Sequence, residues 1–478
     1  MKHKITFIEP KAPNLHIFSM FKLPRLGSLV LGAMMKQRGW QVEIIVEERA
    51  KINFAELKKS DLVAISTITS TAPRAYAIAD RVREDGGTVI MGGPHVTFLK
   101  DEALEHADFV IRGEGEKALM AFIDAWEGGR DYSTISNLSM KTPEGNVHNP
   151  QACYVDDLDS IPFADLSLLK GQLQRTAGKT IIPIQLSRGC PFDCSFCSVT
   201  GMFGKKYRYR STDKVLEHLE QFNDRNNFIF FYDDNFAANP RRTKELLRGM
   251  IARKFRFQWS TQVRVDIADD PELVDLMKRA GCHTLFIGFE SVNPESLREM
   301  KKKQSVEDIQ RAIRILQKQG IHIHGMFVFG FDSDTPATVK ETVKFAKRAR
   351  LTSVQFLLLT PLPGSELYRK LESEGRIRFY DWSLYDCHHV VFEPSNMSMA
   401  QLQKLQIKSH RSFYSSWQIL WKIIRAKWVD VALAHYAHKL NQVWQKRNQK
   451  FVRVVDLMTP ARDSVIKIEY KQNIILER

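Results

Sequence analysis

Three cysteines stand close together in the middle of the chain, in the stretch Ser187-Arg188-Gly189-Cys190-Pro191-Phe192-Asp193-Cys194-Ser195-Phe196-Cys197. Soft thiolates packed this tightly on a loop suit an iron–sulfur cluster or zinc. A closed structural zinc site takes four ligands, and no fourth is near: the next cysteine is Cys282 and the next histidine His218. Three thiolates on a cubane cluster would leave one iron open to another ligand. A zinc knuckle, or three unrelated core cysteines, is the alternative reading.

The Cys190-x-x-x-Cys194-x-x-Cys197 spacing, with the aromatic Phe196 directly before the last cysteine, resembles the signature of the radical S-adenosylmethionine (SAM) superfamily. The resemblance implies a [4Fe-4S] cluster on Cys190, Cys194 and Cys197. Its open iron would bind the amino and carboxylate groups of SAM, and one electron would split the sulfonium to a 5′-deoxyadenosyl radical.

The elements that must position this loop form a repeat of strand and helix. Apolar runs predict strands at Ile181 to Leu186, Phe228 to Tyr232, Arg256 to Ser260, Thr284 to Phe289, His322 to Phe329 and Ser353 to Leu359. Helical patterns lie between them at Thr212 to Asn223, Pro240 to Arg253, Pro271 to Ala280, Val306 to Gln319 and Pro336 to Ala349. Such alternation suits a partial (β/α)6 barrel, with active residues at the carboxyl ends of its strands. There the resemblance assigns Phe196, Asp233, Asp234, Arg264, Glu290 and Ser291 to SAM. Asp233 and Asp234 offer acceptors to its amino group, Arg264 pairs with its carboxylate, and Glu290 bonds its ribose hydroxyls or amino group. Gly325 to Gly330 and Thr360 to Ser365 would lie near the adenine. A helix cap or magnesium site for the aspartates, and barrel salt bridges for Arg264 and Glu290, are the structural alternatives.

In front of this unit, residues 1–130 also alternate. Strands are expected at Ile5 to Ile8, Val42 to Val46, Leu62 to Ser66, Thr88 to Met91 and Phe109 to Ile111, and helices at Leu26 to Arg38, Ala72 to Glu84, Leu99 to His106 and Glu116 to Trp126. A doubly wound parallel sheet places ligands at the carboxyl ends of its strands. The loops there, Ser66 to Thr71, Gly92-Gly93-Pro94-His95 and Arg112-Gly113-Glu114-Gly115-Glu116, look like those of the flavodoxin-like cobalamin-binding domain that precedes many radical SAM domains. The resemblance implies cobalamin contacts from Ser66, Thr67, Ser70, Gly92, Gly93, His95, Gly113 and Glu114. One departure stands out: no Asp-x-His-x-x-Gly motif supplies a histidine below the cobalt, and His16 after the first strand lacks its neighbours. Cobalamin without a protein histidine ligand is therefore implied, with a degenerate structural domain as the alternative.

Residues 131–179 read as a hairpin-bearing connector, with a turn at Pro143-Glu144-Gly145-Asn146. The barrel spans residues 180–375, and residues 376–478 form a mostly helical C-terminal region. Phe379 to His389 is expected to cap the barrel mouth; Tyr380, Tyr385 and Cys387 are candidate late donors of a hydrogen atom or proton, while Cys387-His388-His389 reads as loop packing rather than a metal site. From Met399 onward Phe413, Trp417, Leu420, Trp421, Ile424 and Trp428 follow helical spacing, with Lys422, Arg425 and Lys427 between them. Such a stripe is more often buried, and a helix lying in a membrane interface is the alternative.

At 478 residues, 44% hydrophobic and 26% charged, the chain has room for two or three domains. Six cysteines do not make a disulfide framework, and the three-thiol loop fits a reducing cytoplasm, with attachment to the inner membrane face as a variant. Met1 to Pro10 reads as a first strand and not a signal peptide. The formal charge of +15 favours acidic partners: an electron donor such as flavodoxin or ferredoxin, or an anionic membrane surface. Nucleic acid has no module signature here. A methylthiotransferase would carry a second three-cysteine cluster toward its N-terminus, yet no cysteine precedes Cys153. The cofactor pair implies chemistry at an unactivated carbon, with methyl transfer to a hydrophobic, lipid or tetrapyrrole-like small molecule expected. Oxidative cyclisation without net methylation is the second reading, and a non-enzymatic metal or nucleic-acid module the third.

Overall fold

A computed structural model of the protein describes residues 3–14, 23–129, 131–151, 154–424 and 428–458, with backbone alone at 428 and 429. His16, Cys153, Arg425, Lys427 and the Trp428 side chain lie outside the described residues.

The first sheet contains β1 (Lys4–Glu9), β2 (Gln41–Val46), β3 (Leu62–Ser66), β4 (Val89–Gly92), β5 (Phe109–Ile111), β6 (Leu138–Thr142) and β7 (Gly145–His148), in spatial order β2-β1-β3-β4-β5-β6-β7. Strands β1 to β5 are parallel and buried on both faces, which is why they read as continuous apolar runs rather than alternating ones. The order 2-1-3-4-5 is that of the flavodoxin-like fold. The expected hairpin closes at Thr142 and Gly145 and adds two antiparallel strands to this sheet.

The second sheet contains β8 (Arg175–Thr176) and β9 (Lys179–Ile184), followed in the chain by a separate two-stranded ribbon, β10 (Ser187–Arg188) and β11 (Arg208–Tyr209). It continues through β12 (Asn227–Phe231), β13 (Gln258–Val263), β14 (Cys282–Glu290), β15 (His322–Phe329) and β16 (Ser353–Leu358), in order β16-β15-β14-β13-β12-β9-β8. Strands β9 and β12 to β16 are parallel, and β8 and β16 are opposite edges of an open sheet, so this is half a barrel. Its helices begin where the sequence marks them. Pro240, Pro271 and Pro336 occupy first helical positions, after Asn239, Asp270 and Thr335, whose side chains accept from the first-turn amides.

The C-terminal region packs helix Met399–Phe413 on β16, with Tyr414 hydroxyl donating to Val354 O at 2.7 Å. The short turn Trp382–Leu384 instead crosses to the first domain: Trp382 Nε1 donates to Glu102 at 2.9 Å, and Asn14 Nδ2 donates to Ser383 O at 3.3 Å. Among the described residues no helix is long and apolar enough to cross a membrane.

Candidate functional site

The ribbon β10–β11 closes the loop that carries the three cysteines. Gly189 sits at φ +84°, where a Cβ would collide with Lys206 O, so only glycine allows the chain to turn from the ribbon into Cys190. Ser195 N donates to Met300 O at 3.3 Å and Leu367 N donates to Ser195 O at 2.9 Å, tying the loop to segments that follow β14 and β16. Cys190, Cys194 and Cys197 are free, half-buried thiols. Burial raises all three, Cys197 to about 12. Cations pull the other way: Arg264 acts on Cys190, and Lys302 and Arg264 on Cys194. A donor set of thiols that need deprotonating to bind metal, with two cations beside it, fits an anionic thiolate cluster. A cubane's thiolates go to separate irons and need not converge on one ion, and among the described residues no three His, Cys, Asp or Glu side chains do so.

Around the loop, the strand ends bring some of the expected residues together and withdraw others. Asp234 follows β12; water reaches its side chain, yet protein surrounds it, and burial alone pushes it up to about 6. Its charge is felt at Cys190 and Cys197, so it lies beside the cluster loop. Asp233 points the opposite way. It is buried, accepts from Leu186 N at 3.2 Å and from the Ser187 hydroxyl, and is raised to about 7 by burial. Expected on SAM, it holds the start of the ribbon instead.

Arg264 follows β13. Its Nη2 donates to Lys302 O at 2.6 Å and its guanidinium stacks 3.7 Å from the centre of the Phe192 ring, inside the cysteine loop. Glu290 ends β14 at a register shift, with φ +61°, and its carboxylate folds back over Gly288 to meet Lys302 Nζ at 2.6 Å. A non-glycine residue in this conformation is strained, and strain of this kind gathers at functional sites. Ser291 does not line the site: its hydroxyl accepts from Asn293 N at 3.0 Å and caps the following turn. Phe196 lies edge-on to Phe331, 6.0 Å away at the end of β15. Lys302 and Phe192 were missed by the sequence reading; the run Lys301-Lys302-Lys303 was the available signal, since its middle member is buried and its flanks exposed.

At the mouth, the Tyr385 hydroxyl donates to Phe379 O at 2.8 Å in a buried setting, which removes it as a late donor. Cys387, at φ +63°, accepts on its carbonyl from Leu358 N at 2.7 Å and so sits at the carboxyl end of β16, its thiol raised to about 11 by burial. His389 is fully buried between Asp386 and Asn448, as loop packing requires.

In the first domain the loops after β3, β4 and β5 are strung together. Thr67 Oγ1 donates to Gly92 O at 3.0 Å, Thr97 Oγ1 donates to Gly93 O at 2.9 Å, and Gly113 N donates to Thr97 Oγ1 at 2.9 Å. Gly93 at φ +105° has no room for a Cβ against Thr67, so glycine lets the two strand ends meet. Ser66 keeps its side chain half-buried at the end of β3, and Ser70 is buried in the turn that follows. This face of closely spaced backbone and small hydroxyls fits a bulky ligand. His95 turns away from it: fully buried, its Nε2 bonds the Tyr76 hydroxyl at 3.1 Å. Glu114 is also withdrawn, since Arg208 takes both its oxygens at 2.7 and 2.8 Å. Phe98, just beyond the β4 loop, wedges against Gly201 and against Gly364 after β16, where any Cβ would strike its ring. The carboxyl ends of the two sheets therefore face a common interface.

The radical SAM superfamily profile matches residues 184–346 and the B12 binding domain profile residues 19–123. The chain is 30% identical to bacteriochlorophyllide d C-12(1)-methyltransferase of Chlorobaculum tepidum over 88% of this chain and 89% of that protein. It is 29% identical to the anaerobic magnesium-protoporphyrin IX monomethyl ester cyclase of Rubrivivax gelatinosus, over 74% and 66%. The cobalamin-dependent radical enzyme OxsB, solved with aqua-cobalamin and S-adenosylmethionine, superposes at a TM-score of 0.69 and 16% identity, covering 97% of this chain and 82% of that one. The chain belongs to the cobalamin-binding radical SAM family of enzymes. The cofactors of that family are a [4Fe-4S] cluster, SAM and cobalamin, the three the sequence implied.

Proposed function

We propose that the chain methylates an unactivated carbon of a hydrophobic small molecule that reaches it at a membrane surface. The facing of the two carboxyl-end platforms across the Phe98 contact carries this reading, because methyl transfer needs both centres to address one substrate carbon. Bound there, the cofactors supply one-electron cleavage of SAM and a transferable methyl group. The chain's own residues do the rest. Cys190, Cys194 and Cys197 hold the cluster. Arg264, fixed by Phe192 and Lys302 O, offers its remaining N–H groups to the SAM carboxylate. Asp234 accepts from the amino group, and Glu290, held by Lys302, faces the ribose. Ser66, Thr67, Ser70, Gly92, Gly93 and Gly113 form the cobalamin face. The aromatic segment around Trp382 excludes water, and Cys387 is the candidate source of a late hydrogen or proton.

The membrane part rests on helix Ser416–Ile424. Trp417 is 63% and Ile424 65% exposed, with Leu420, Trp421 and Ile423 exposed beside them. Residues 399–458 hold eleven Lys and Arg against two Asp and Glu. An apolar face on so basic a region suits an anionic bilayer, whereas a second copy would bring like charge against it. The same positive balance suits an acidic electron donor.

Anaerobic reconstitution with SAM and cobalamin tests the chemistry. 5′-Deoxyadenosine together with S-adenosylhomocysteine supports methylation, and deoxyadenosine alone points to ring closure as in the cyclase. For the surface, sedimentation with phosphatidylglycerol vesicles should fall sharply for Trp417→Ser/Trp421→Ser; equal binding rejects the membrane reading.

A further inference from the structure

Four charged side chains lie buried between the two domains and pair with one another. The ribbon β10–β11 places Arg188 directly opposite Arg208, and both are buried. Like charges facing across an antiparallel pair oppose its formation, so this ribbon does not close well by itself. The first domain supplies what it lacks. Glu114 takes Arg208 in a two-pronged pair at 2.7 and 2.8 Å and lies 3.6 Å from Arg188, and Glu116 accepts from Arg188 Nη2 at 2.6 Å. Glu114 also accepts from Val155 N at 2.5 Å, and Arg208 donates to Val155 O at 2.7 Å, which draws the interdomain connector into the same knot. Two positive and two negative charges cancel.

The position of this knot gives it a purpose. Arg188 is two residues before Cys190, and its neighbour Ser187 is held from within the half-barrel by Asp233. Glu114 follows Gly113, the last member of the hydrogen-bonded series Thr67, Gly92, Gly93 and Thr97 that orders the opposite platform. One continuous bonded path therefore runs from the loops of the first domain to the first cysteine. Buried ion pairs add little net stability compared with apolar packing, but their directional bonds specify one arrangement.

We infer that Glu114 and Glu116, with Arg188 and Arg208, are positioning residues that hold the cysteine loop at a set distance from the carboxyl-end loops of the first domain. The idea rests on the family's cofactor pair and not on the identity of the substrate. It also accounts for the Gly113-Glu114-Gly115-Glu116 element: the glycines turn the chain after β5, and the acids face the ribbon instead of a ligand.

The test uses the full chain loaded with both cofactors and reduced so that cobalt(II) and the cluster are both paramagnetic. Pulsed electron paramagnetic resonance then reads the distance between them. Native protein should give one narrow distribution. Glu116→Gln should broaden or lengthen it while iron, sulfide and cobalamin contents stay native. The ratio of product to 5′-deoxyadenosine should fall by up to roughly a hundredfold, the size expected of a misplacement of about 1 Å. The neutral pair Glu116→Gln/Arg188→Gln, which removes both charges and leaves partners able to hydrogen-bond, should narrow the distribution again. If the single variant does not fold, the paired one still reports: a native distance supports positioning by a matched pair, and a broad one overturns it. An unchanged distribution in Glu116→Gln would also overturn the inference. The distance stands whether or not methyl transfer is the reaction, so failure of the one reading is separable from failure of the other.

Discussion

Lys302 is the residue whose removal the structure prices most directly. Its ammonium sits 2.6 Å from Glu290, and the two side chains are 10% and 8% exposed. Glu290 is held in a left-handed conformation over Gly288, with little freedom to turn toward water. Lys302→Met would leave a buried carboxylate without its counter-charge, a change that costs about 3–5 kcal/mol in comparable sites. For a domain of this size each kcal/mol moves the melting point by about 2–4 °C, so a fall of roughly 6–20 °C is expected. Glu290→Gln should cost less, about 1–3 kcal/mol, because the amide oxygen still accepts from the ammonium. The double variant should be more stable than Lys302→Met alone. Differential scanning calorimetry of the anaerobic apo chain, with hydrogen exchange over residues 282–304 to localise the loss, makes the measurement. Lys302→Met melting within about 2 °C of native, or a double variant equal to the sum of the singles, would refute the coupling. A second readout follows from sign. Lys302 is the largest influence lowering the Cys194 thiol against burial, so its loss raises that thiol further. Cluster loading in Lys302→Met should therefore fall at neutral pH and recover as pH rises.

Further expectations follow from single positions. Gly189→Ala, at φ +84° with Lys206 O in the way, should abolish cluster loading, read as iron and sulfide per chain. Asp234 has its carboxyl raised from the ordinary 3.8 to about 6 by burial, so its negative charge is lost as pH falls through 6. SAM binding, followed by equilibrium dialysis, should weaken across that window in the native chain and lose the dependence in Asp234→Asn. The same raised value means that folding stability contributed by the protonated form is present below about 3.8 and is lost as pH rises through 6, so Asp234→Asn should be the more stable chain at pH 7. His95→Gln should leave the cobalt(II) spectrum of bound cobalamin unchanged, because the imidazole faces Tyr76 and Glu102.

Most of the framework was legible because it depends on local rules. Strands buried on both faces appear as unbroken apolar runs, and prolines preceded by Asn239, Asp270 and Thr335 mark helix starts within a residue or two. Which way a polar side chain faces at a strand end does not depend on local rules. Asp233 and Asp234 are adjacent and alike in sequence, yet one is fastened to Ser187 and the other opens on the cleft, since successive side chains leaving a strand point to opposite sides. Glu114 and Arg208 are 94 residues apart, and nothing near either names the other.

The C-terminal stripe makes the same point about faces. Burial is the commoner outcome for a stripe such as Phe413 to Trp428, and among its described members it holds for Phe413 alone, which packs near Phe356. Among the later members of the stripe, Trp417, Leu420, Trp421 and Ile424 are exposed, while Lys422 reaches back to donate to Thr352 O at 2.9 Å. Helical periodicity shows that a stripe exists; whether something covers it depends on elements far along the chain. Here Lys422 anchors the helix by its polar side at the amino-terminal end of β16, away from the barrel mouth. A substrate drawn from a bilayer would therefore have to pass from that end to the other, and mutations confined to Trp417 and Trp421 should alter delivery of a lipid-dissolved substrate while leaving turnover of a detergent-solubilised one intact.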